Sequence, residues 1–236
     1  MIINLLIISG CGSSTDSDED TFNSTLFFSG YTWQVKTGDE KMGPGPNYFS
    51  NNAKNAWVDS SGYLHLAITN RNGEWQCAEV ICTESLGYGT YSFDVDTPAD
   101  SIDKNTVLGL FTWDDDFPSF YREIDIEISR WGEDRPYPNT QFVVQPYTRD
   151  GNIHRFDISN SVDKTINSFT WSNSGISFDT SKKDLTSIES WSYIKGADYP
   201  EPGNEKVHIN LWLLENSIPS DGQPKEVIIS KFSFVK

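Results

Sequence analysis

The stretch Glu123-Ile124-Asp125-Ile126-Glu127 alternates acidic residues with isoleucines. In a β-strand successive side chains point to opposite faces, so this spacing places three carboxylates on one face and two β-branched apolar side chains on the other. The pattern predicts a strand with a buried isoleucine face and an acidic face turned toward water or a cleft. Taken alone, it is also typical of an ordinary solvent-facing strand whose acidic side chains point outward.

Three carboxylates side by side are costly to ionise together, because like charges repel and a cleft removes part of their water. Their pKa values should separate, so that one acid keeps its proton near neutral pH. Glycoside hydrolysis uses this division, since one carboxylate attacks the anomeric carbon and another protonates the leaving oxygen. The Cα atoms of Glu123 and Glu127 are expected about 13 Å apart on a strand. Retaining hydrolysis needs carboxyl groups about 5–5.5 Å apart, so the two side chains must lean together.

Period-2 alternation of apolar and polar residues recurs through the chain and predicts further half-buried strands. Clusters of Gly, Asn, Asp and Ser separate these runs, as expected for turns. No segment shows a long helical period, and the best helix candidate is 182–194. Many short strands without β-α alternation predict an all-β fold, an antiparallel two-sheet β-sandwich. The predicted strands are 63–68, 91–95, 107–113, 206–212 and 226–235.

The chain of 236 residues is long enough for one sizeable core, and it shows no internal repeat and no internal linker rich in Pro or Gly. Residues 1–10 are mostly apolar, are too short to span a bilayer, and lead directly into Cys11. This resembles a bacterial lipoprotein signal that lacks its basic region, and a stray apolar N-terminus is the alternative. We predict a signal segment at 1–10, an acidic flexible tether at 11–24 and one domain at 25–236.

Lipidation of Cys11 would attach the protein to the bacterial cell envelope, facing the periplasm or the cell exterior. We expect this anchor to be the protein's contact with membrane, and we expect a monomer. Cys77 and Cys82 lie five positions apart and would face opposite sides of one extended strand, so we predict no disulfide between them. The three histidines show no metal-ligand spacing, and His65 and His208 are expected to be structural.

The formal net charge of −16 argues against nucleic acid as a partner, because the phosphate backbone would be repelled. Aromatic residues make up 14% of the chain, which is more than a modest core needs. Some of these rings are therefore expected to line a surface, and flat sugar rings are one natural partner. We expect a polysaccharide as the binding partner.

Several short motifs in order resemble glycoside hydrolase family 16, specifically its lichenase-like (β-1,3-1,4-glucanase) branch. The resemblance covers nearly all of 28–236. The spacing Glu-x-Asp-x-Glu, without an extra residue, resembles the unbulged strand of lichenases rather than the bulged strand of laminarinases. The matching motifs are Gly62-Tyr63-Leu64-His65-Leu66, Cys77-Ala78-Glu79, Gly87-Tyr88-Gly89-Thr90-Tyr91, Glu123-Ile124-Asp125-Ile126-Glu127, Gln141-Phe142, Asn210-Leu211-Trp212 and Phe232-Ser233-Phe234.

This resemblance implies a concanavalin-like β-jelly roll with a concave cleft, and an endo-acting, retaining hydrolase of a β-linked glucan or related polysaccharide. It implies Glu123 as nucleophile, Glu127 as general acid/base and Asp125 as assisting carboxylate. It implies no required cofactor, and a structural calcium ion is compatible with it although no ligand loop is legible. The implied substrate contacts are Glu79, Trp113, Tyr121, Gln141, Asn210 and Trp212. Strand parity would also place Tyr121 on the face of the three acids.

Departures from the family pattern put the substrate subsites in doubt. Ile81 stands where the family carries an Arg, and Val143 stands where lichenases commonly carry Asn. Arg122 stands where an acid often precedes the nucleophile, and the usual disulfide partner upstream is absent. Two other functions therefore stay open: a non-catalytic glycan-binding jelly roll, and a transglycosylase in which sugar instead of water intercepts the covalent intermediate.

Overall fold

The computed structural model describes residues 21–116 and 120–236, and in this part of the chain nearly all regular structure is β-strand. Short 3-10 turns at Ala99–Ser101, Phe120–Arg122 and Leu214–Asn216 are the helical elements described. The strands are β1 (Thr25–Phe28), β2 (Tyr31–Val35), β3 (Tyr48–Phe49), β4 (Ala56–Val58), β5 (Leu64–Arg71), β6 (Glu74–Cys82), β7 (Gly89–Val95), β8 (Thr106–Trp113), β9 (Ile124–Ile128), β10 (Thr140–Val144), β11 (Ile153–Phe156), β12 (Thr165–Ser172), β13 (Gly175–Lys182), β14 (Ser187–Ile194), β15 (Lys206–Leu213) and β16 (Lys225–Val235).

The strands form two antiparallel layers. One layer has the order β1-β2-β6-β15-β8-β9-β10-β11, and the other has the order β4-β5-β16-β7-β12-β13-β14. The β5–β6 hairpin pairs Thr69–Arg71 with Glu74–Gln76 and so joins the two layers at one end. Strand β3 adds a short parallel pairing to the start of β6. This arrangement confirms the predicted two-sheet β-sandwich.

The core lies between the two sheets and is rich in aromatic rings. Trp33 on β2 meets Phe232 on β16 edge-on, with ring centroids 5.3 Å apart. Phe142 on β10 stacks against Phe178 on β13 at 5.0 Å. Each pair joins one sheet to the other, and all four rings are almost fully buried. Apolar area removed from water at these contacts is the main force that holds the layers together.

The predicted strands are confirmed, each within a few residues of its expected ends. The helix predicted at 182–194 is wrong, because this segment holds the end of β13, a turn and the edge strand β14. Its residues pair with β13 from Ser187 to Ile194, and sheet pairing satisfies the backbone groups that a helix would have bonded internally.

The N-terminal residues of the described chain belong to the folded domain. Thr21–Ser24, which fall within the tether predicted at 11–24, are hydrogen-bonded to the domain. The backbone N–H of Asn23 donates to the carbonyl of Asn51 at 2.7 Å, and the N–H of Val35 donates to the carbonyl of Ser24 at 3.0 Å. Within the described residues, hydrogen bonding to the domain is therefore already present at residue 21, before β1.

Cys77 and Cys82 are both buried on β6 as free thiols. Burial raises the pKa of the Cys77 thiol to about 12, which keeps it protonated and unreactive. Across residues 21–116 and 120–236, no helix is both long and apolar enough to cross a bilayer.

Phe232 tests the role of the aromatic core. Its ring contacts Tyr31, Trp33 and Phe93, so Phe232→Ala should leave a cavity and lower the free energy of unfolding by about 3–5 kcal/mol. Val235 lies on the same strand and is 66% exposed, so Val235→Ala should change it by less than about 0.5 kcal/mol. Urea unfolding of both variants checks this, and equal effects would contradict the packing described.

Candidate active site

The acidic stretch forms the central strand β9, flanked by β8 and β10. Ile124, Ile126 and Ile128 are fully buried on the core side, which leaves Asp125 and Glu127 on the opposite face. The pairing of β9 with both neighbours runs without a register shift, so the strand has no bulge. Glu123 directly precedes β9, and its backbone carbonyl accepts from the N–H of Gln145 at 3.2 Å.

The outer face of this sheet carries a cavity of about 410 Å³. Seven of the predicted site residues line it together: Glu79, Trp113, Glu123, Asp125, Glu127, Asn210 and Trp212. They come from β6, β8, β9 and β15 and from the residue before β9, so the sheet brings together residues that are far apart in sequence. Ile81, at the position of the missing Arg, lines the same cavity and offers no charge there.

Tyr121 is not among the residues that line the cavity, and its position differs from the one predicted. It lies in a turn in which Phe120, Tyr121 and Arg122 all have φ of 54°, so strand parity does not apply to it. Its ring instead stacks on Trp113 with centroids 3.9 Å apart and planes inclined by 11°. Trp113 lines the cavity, and Tyr121 contacts it through this stacking.

Two glutamine amides hold the acids of β9. Gln141, opposite Glu127 on β10, donates from Nε2 to Glu127 Oε2 at 2.6 Å. Gln145, one residue beyond β10, donates from Nε2 to Asp125 Oδ2 at 3.1 Å. The amide oxygen of Gln141 accepts a hydrogen bond from Arg155 Nε at 2.9 Å. The amide oxygen of Gln145 accepts one from the backbone N–H of Tyr147 at 2.9 Å. Both amides are therefore fixed in orientation.

The three carboxyl groups of the stretch all have raised pKa values. Burial raises the pKa of Glu123 to about 8, with the charge of Glu127 adding to the shift and a hydrogen bond from Asp125 opposing it. Burial raises the pKa of Glu127 to about 7, against the effects of Gln141 and Arg155. Asp125 is 3% exposed, and burial followed by the charges of its two neighbours raises its pKa well above the usual range. The stretch therefore holds protons at neutral pH.

Glu79, unlike the three acids of this stretch, has a lowered pKa and is ionised at neutral pH. It is buried, yet its carboxylate meets Lys36 Nζ at 2.9 Å and His208 Nδ1 at 2.8 Å. Burial acts to raise the pKa of Glu79, but the His208 hydrogen bond and the Lys36 cation lower it below its usual value. Asn210 Nδ2 also donates to Glu79 at 3.3 Å. Glu79 is therefore an ionised, fully oriented acceptor in the wall of the cavity.

The amide oxygen of Asn210 is buried and has no hydrogen-bond partner among the described residues. It lies against Gly109, where an added Cβ would come within 2.5 Å of it. Glycine at this position therefore leaves the room that Asn210 occupies. An unsatisfied buried acceptor beside a cavity is suited to a donor from a bound molecule.

Two further departures from the family pattern, Arg122 and Val143, are not among the residues that line the cavity. Arg122 donates from Nη1 to Asp114 at 2.5 Å and from Nε to the carbonyl of Glu201 at 2.7 Å, so it ties the turn before Glu123 to a neighbouring loop. Val143 is fully buried opposite Asp125.

Sequence reasoning missed several residues of the site, among them Lys36, Gln145, Arg155 and His208. Strand parity could have found two of them, because residues an even number of positions apart lie on the same face of a strand. His208 lies two positions before Asn210, and Gln145 lies four positions after Gln141. His208 was instead expected to be structural, whereas it lines the cavity. Lys36 and Arg155 lie on distant segments and carry no local signal.

Two further predictions stay untested by this geometry. Cys11 lies outside the described residues. The described ranges contain no group of three or more His, Cys, Asp or Glu side chains arranged to hold a metal ion. The structural calcium ion stays a prediction.

Comparison with known proteins gives matches at the level of structure. No protein-family model and no curated protein matches the sequence. A Bacillus licheniformis β-glucanase is 21% identical, with a TM-score of 0.64 over 92% of this chain and 96% of that chain. A prokaryotic β-1,3-1,4-glucanase (lichenase) from a mouse hindgut metagenome is 22% identical, with a TM-score of 0.62 over 91% and 95%. The chain has the lichenase-like jelly-roll fold. This confirms the fold implied by the resemblance to glycoside hydrolase family 16.

Another similar structure limits what the fold alone can say about activity. It is described as an immunostimulatory antigen and pseudo β-1,3-glucanase of Mycobacterium tuberculosis. It is 17% identical, with a TM-score of 0.65 over 92% of this chain and 96% of that chain. Because a protein called a pseudo-glucanase shares the fold, any function must be argued from the residues of the site.

The raised pKa values of the acids predict how stability depends on pH. A carboxyl whose folded pKa is raised stabilises the fold at low pH, and this stability is lost as pH rises through the folded value. Wild-type stability should therefore fall between about pH 5 and pH 8. Glu123→Gln should have a higher Tm than wild type at pH 9 by several degrees, and a similar Tm at pH 4. The exposed Glu133→Gln controls for loss of one charge, and an identical pH response in both variants would count against the burial of Glu123.

Proposed function

We propose that the chain is a retaining, endo-acting glycoside hydrolase of a β-linked glucan. The observation that carries the proposal is the set of three carboxyl groups with raised pKa values in one aromatic-walled cavity. An ordinary solvent-facing strand would leave such acids hydrated and ionised. Keeping them partly protonated is costly for stability, and it is the condition that acid catalysis at a glycosidic oxygen needs.

In this proposal Glu123 is the nucleophile, and Asp125 prepares it. The hydrogen bond between them lowers the pKa of Glu123 and raises that of Asp125, so Asp125 is the donor and Glu123 the acceptor. Burial and the charge of Glu127 keep the pKa of Glu123 above that of Glu127 even with this hydrogen bond, which is the reverse of the order that the mechanism needs. The Asp125 proton, and the positive charge that develops at the anomeric carbon, favour an ionised Glu123 once substrate is bound.

Glu127 is the general acid and base in the same scheme. In the first step its proton passes to the leaving oxygen, the glycosidic bond breaks, and Glu123 bonds to the anomeric carbon. In the second step the ionised Glu127 takes a proton from water, the water oxygen bonds to the anomeric carbon, and the bond to Glu123 breaks. Both carboxyl groups return to their starting protonation.

The walls of the cavity suit an uncharged sugar chain. Trp113, backed by Tyr121, and Trp212 offer apolar ring surface. Glu79 offers an oriented acceptor and Asn210 an unused amide oxygen. Because β9 is unbulged, mixed-linkage β-1,3-1,4-glucan is the first substrate to test.

Glu123→Gln and Glu127→Gln test these roles. Glu123→Gln should abolish reducing-end release from lichenan, and Glu127→Gln should lower it by about 10²–10⁴-fold because the leaving oxygen is no longer protonated. The exposed Glu133→Gln is the matched control and should act as wild type. Proton NMR of the first product should show the β-anomer.

Unchanged activity in Glu123→Gln on lichenan, laminarin, xyloglucan or agarose would remove Glu123 as nucleophile. Tight oligosaccharide binding by the wild type without turnover across a broad pH range would instead establish the non-catalytic glycan-binding module. A labelled acceptor sugar that appears in the products, detected by mass spectrometry, would identify transglycosylation.

We also propose that the protein acts as a monomer at the bacterial cell envelope, held by a lipid on Cys11. An enzyme anchored there would meet polysaccharide fragments that are too large to enter the cell. Full-length protein expressed in a bacterial host should incorporate labelled palmitate and fractionate with membrane, and Cys11→Ala should do neither. Cys77→Ala is the matched control and should be labelled to the same extent as wild type. Label retained in Cys11→Ala would contradict the anchor.

A further inference from the structure

Arg155 links β11, the outermost strand of the sheet that carries the cavity, to the acid Glu127 through hydrogen bonds. It lies on β11, which pairs with β10 at Gln141, and its side chain is exposed. Its Nε donates to Gln141 Oε1 at 2.9 Å, and its Nη1 donates to the hydroxyl of Tyr137 at 3.4 Å. Gln141 in turn donates from Nε2 to Glu127 Oε2 at 2.6 Å. Arg155 therefore acts on Glu127 through one amide.

The amide of Gln141 has a single arrangement that satisfies both neighbours. An amide carries one oxygen acceptor and one NH₂ donor at opposite corners. The guanidinium of Arg155 can only donate, so it must face the amide oxygen. The NH₂ group is thereby turned toward Glu127. With the amide reversed, the NH₂ would face the guanidinium and the amide oxygen would face the Glu127 carboxyl, so both contacts would lose their pairing.

This orientation decides which oxygen of Glu127 can carry a proton. Oε2 accepts the short hydrogen bond from Gln141, and an oxygen that accepts there is disfavoured as an O–H donor. The proton of the acid is left on Oε1. We propose that Arg155 is a positioning residue that fixes the catalytic proton on Oε1 of Glu127 by locking the Gln141 amide. The proposal rests on the proposed role of Glu127 as general acid.

The neighbouring amide shows the same arrangement with a different support. The backbone N–H of Tyr147 fixes the oxygen of Gln145, whose Nε2 then faces Asp125. A backbone donor persists whatever side chain is present. At Gln141 a side chain from the next strand provides the donor, so a single substitution can remove this support.

Arg155 also contributes charge to the surroundings of Glu127. The neighbours of Glu127 on and just before β9, Asp125 and Glu123, are acidic. The residues opposite Glu127 on β8 and β10 are Gly109 and Gln141, which are uncharged. From β11, the guanidinium of Arg155 acts to lower the pKa of Glu127. Its removal should therefore raise this pKa as well as free the amide.

The test compares Arg155→Met with wild type on two substrates. On lichenan, kcat should fall between about 10- and 100-fold because the proton is misplaced. On a 2,4-dinitrophenyl β-oligoglucoside, whose leaving group needs no proton, glycosylation should be unchanged. The alkaline limb of kcat/KM, expected near pH 7 in wild type, should move to higher pH because the cation that favours ionised Glu127 is gone.

Two variants separate positioning from other effects. Arg155→Lys keeps the charge and one donor, so it should keep the wild-type pH limb and recover part of the lost rate. Arg135 is another surface arginine, paired with Asp157 at 2.8 Å and with Asp100. Arg135→Met removes the same charge elsewhere and should match wild type on both substrates. Equal losses on both substrates in Arg155→Met, or an unmoved pH limb, would overturn the proposal.

A measurement without turnover keeps this inference separate from the proposed function. Carbon-13 NMR of protein labelled at glutamate carboxyls, with the Glu127 signal assigned by its loss in Glu127→Gln, gives the pKa of Glu127 directly. Arg155→Met should raise it, and Arg135→Met should leave it in place. A Glu127 pKa equal in all three proteins refutes the positioning role even if the enzyme is active. A shift together with an inactive wild type refutes the proposed function instead.

Discussion

The alternation of β9 is the constraint on which the site depends. Ile124, Ile126 and Ile128 are packed into the core between the sheets, so the strand cannot slip by one residue without moving isoleucines to the cavity and acids into the core. Apolar packing on one face thus holds mutually repelling carboxyl groups in place on the other. The aromatic contacts between the sheets contribute stability that offsets the destabilising repulsion between these carboxyl groups.

The cavity contains buried carboxyl groups in two protonation states, and the difference follows from their partners. Glu79 is ionised because Lys36 and His208 contact it directly. Glu127 is hydrogen-bonded by a neutral amide, with the cation one residue further away, and its pKa is raised. A cation in direct contact compensates for lost hydration, whereas an amide does so only in part. The same cavity therefore holds one ionised, oriented carboxylate and one carboxyl group that keeps a proton near neutral pH.

The sequence was sufficient to predict the sandwich and most of the site because both follow from period-2 alternation and from short motifs. It was insufficient where position depends on a neighbouring strand or on an unusual turn. Tyr121 was placed by strand parity, but the chain bends through positive φ just before β9. The segment 182–194 was expected to be helical, but pairing with β13 makes it a strand. Arg155 has no local signal, since its role exists only after β11 pairs with β10.

Fold and activity are separate properties in this architecture. Glucanases and a protein described as a pseudo-glucanase are similar to the chain to about the same degree, with TM-scores of 0.64 and 0.65. The proposed hydrolysis depends on the protonation of Asp125 and Glu127, and the pKa values of these acids depend in part on the groups that contact or support them from β10 and β11. Gln141, Gln145 and Arg155 do not need to touch sugar to control this protonation. In the proposed enzyme, cleavage of a glucan would therefore depend on these supporting contacts as well as on the acids themselves.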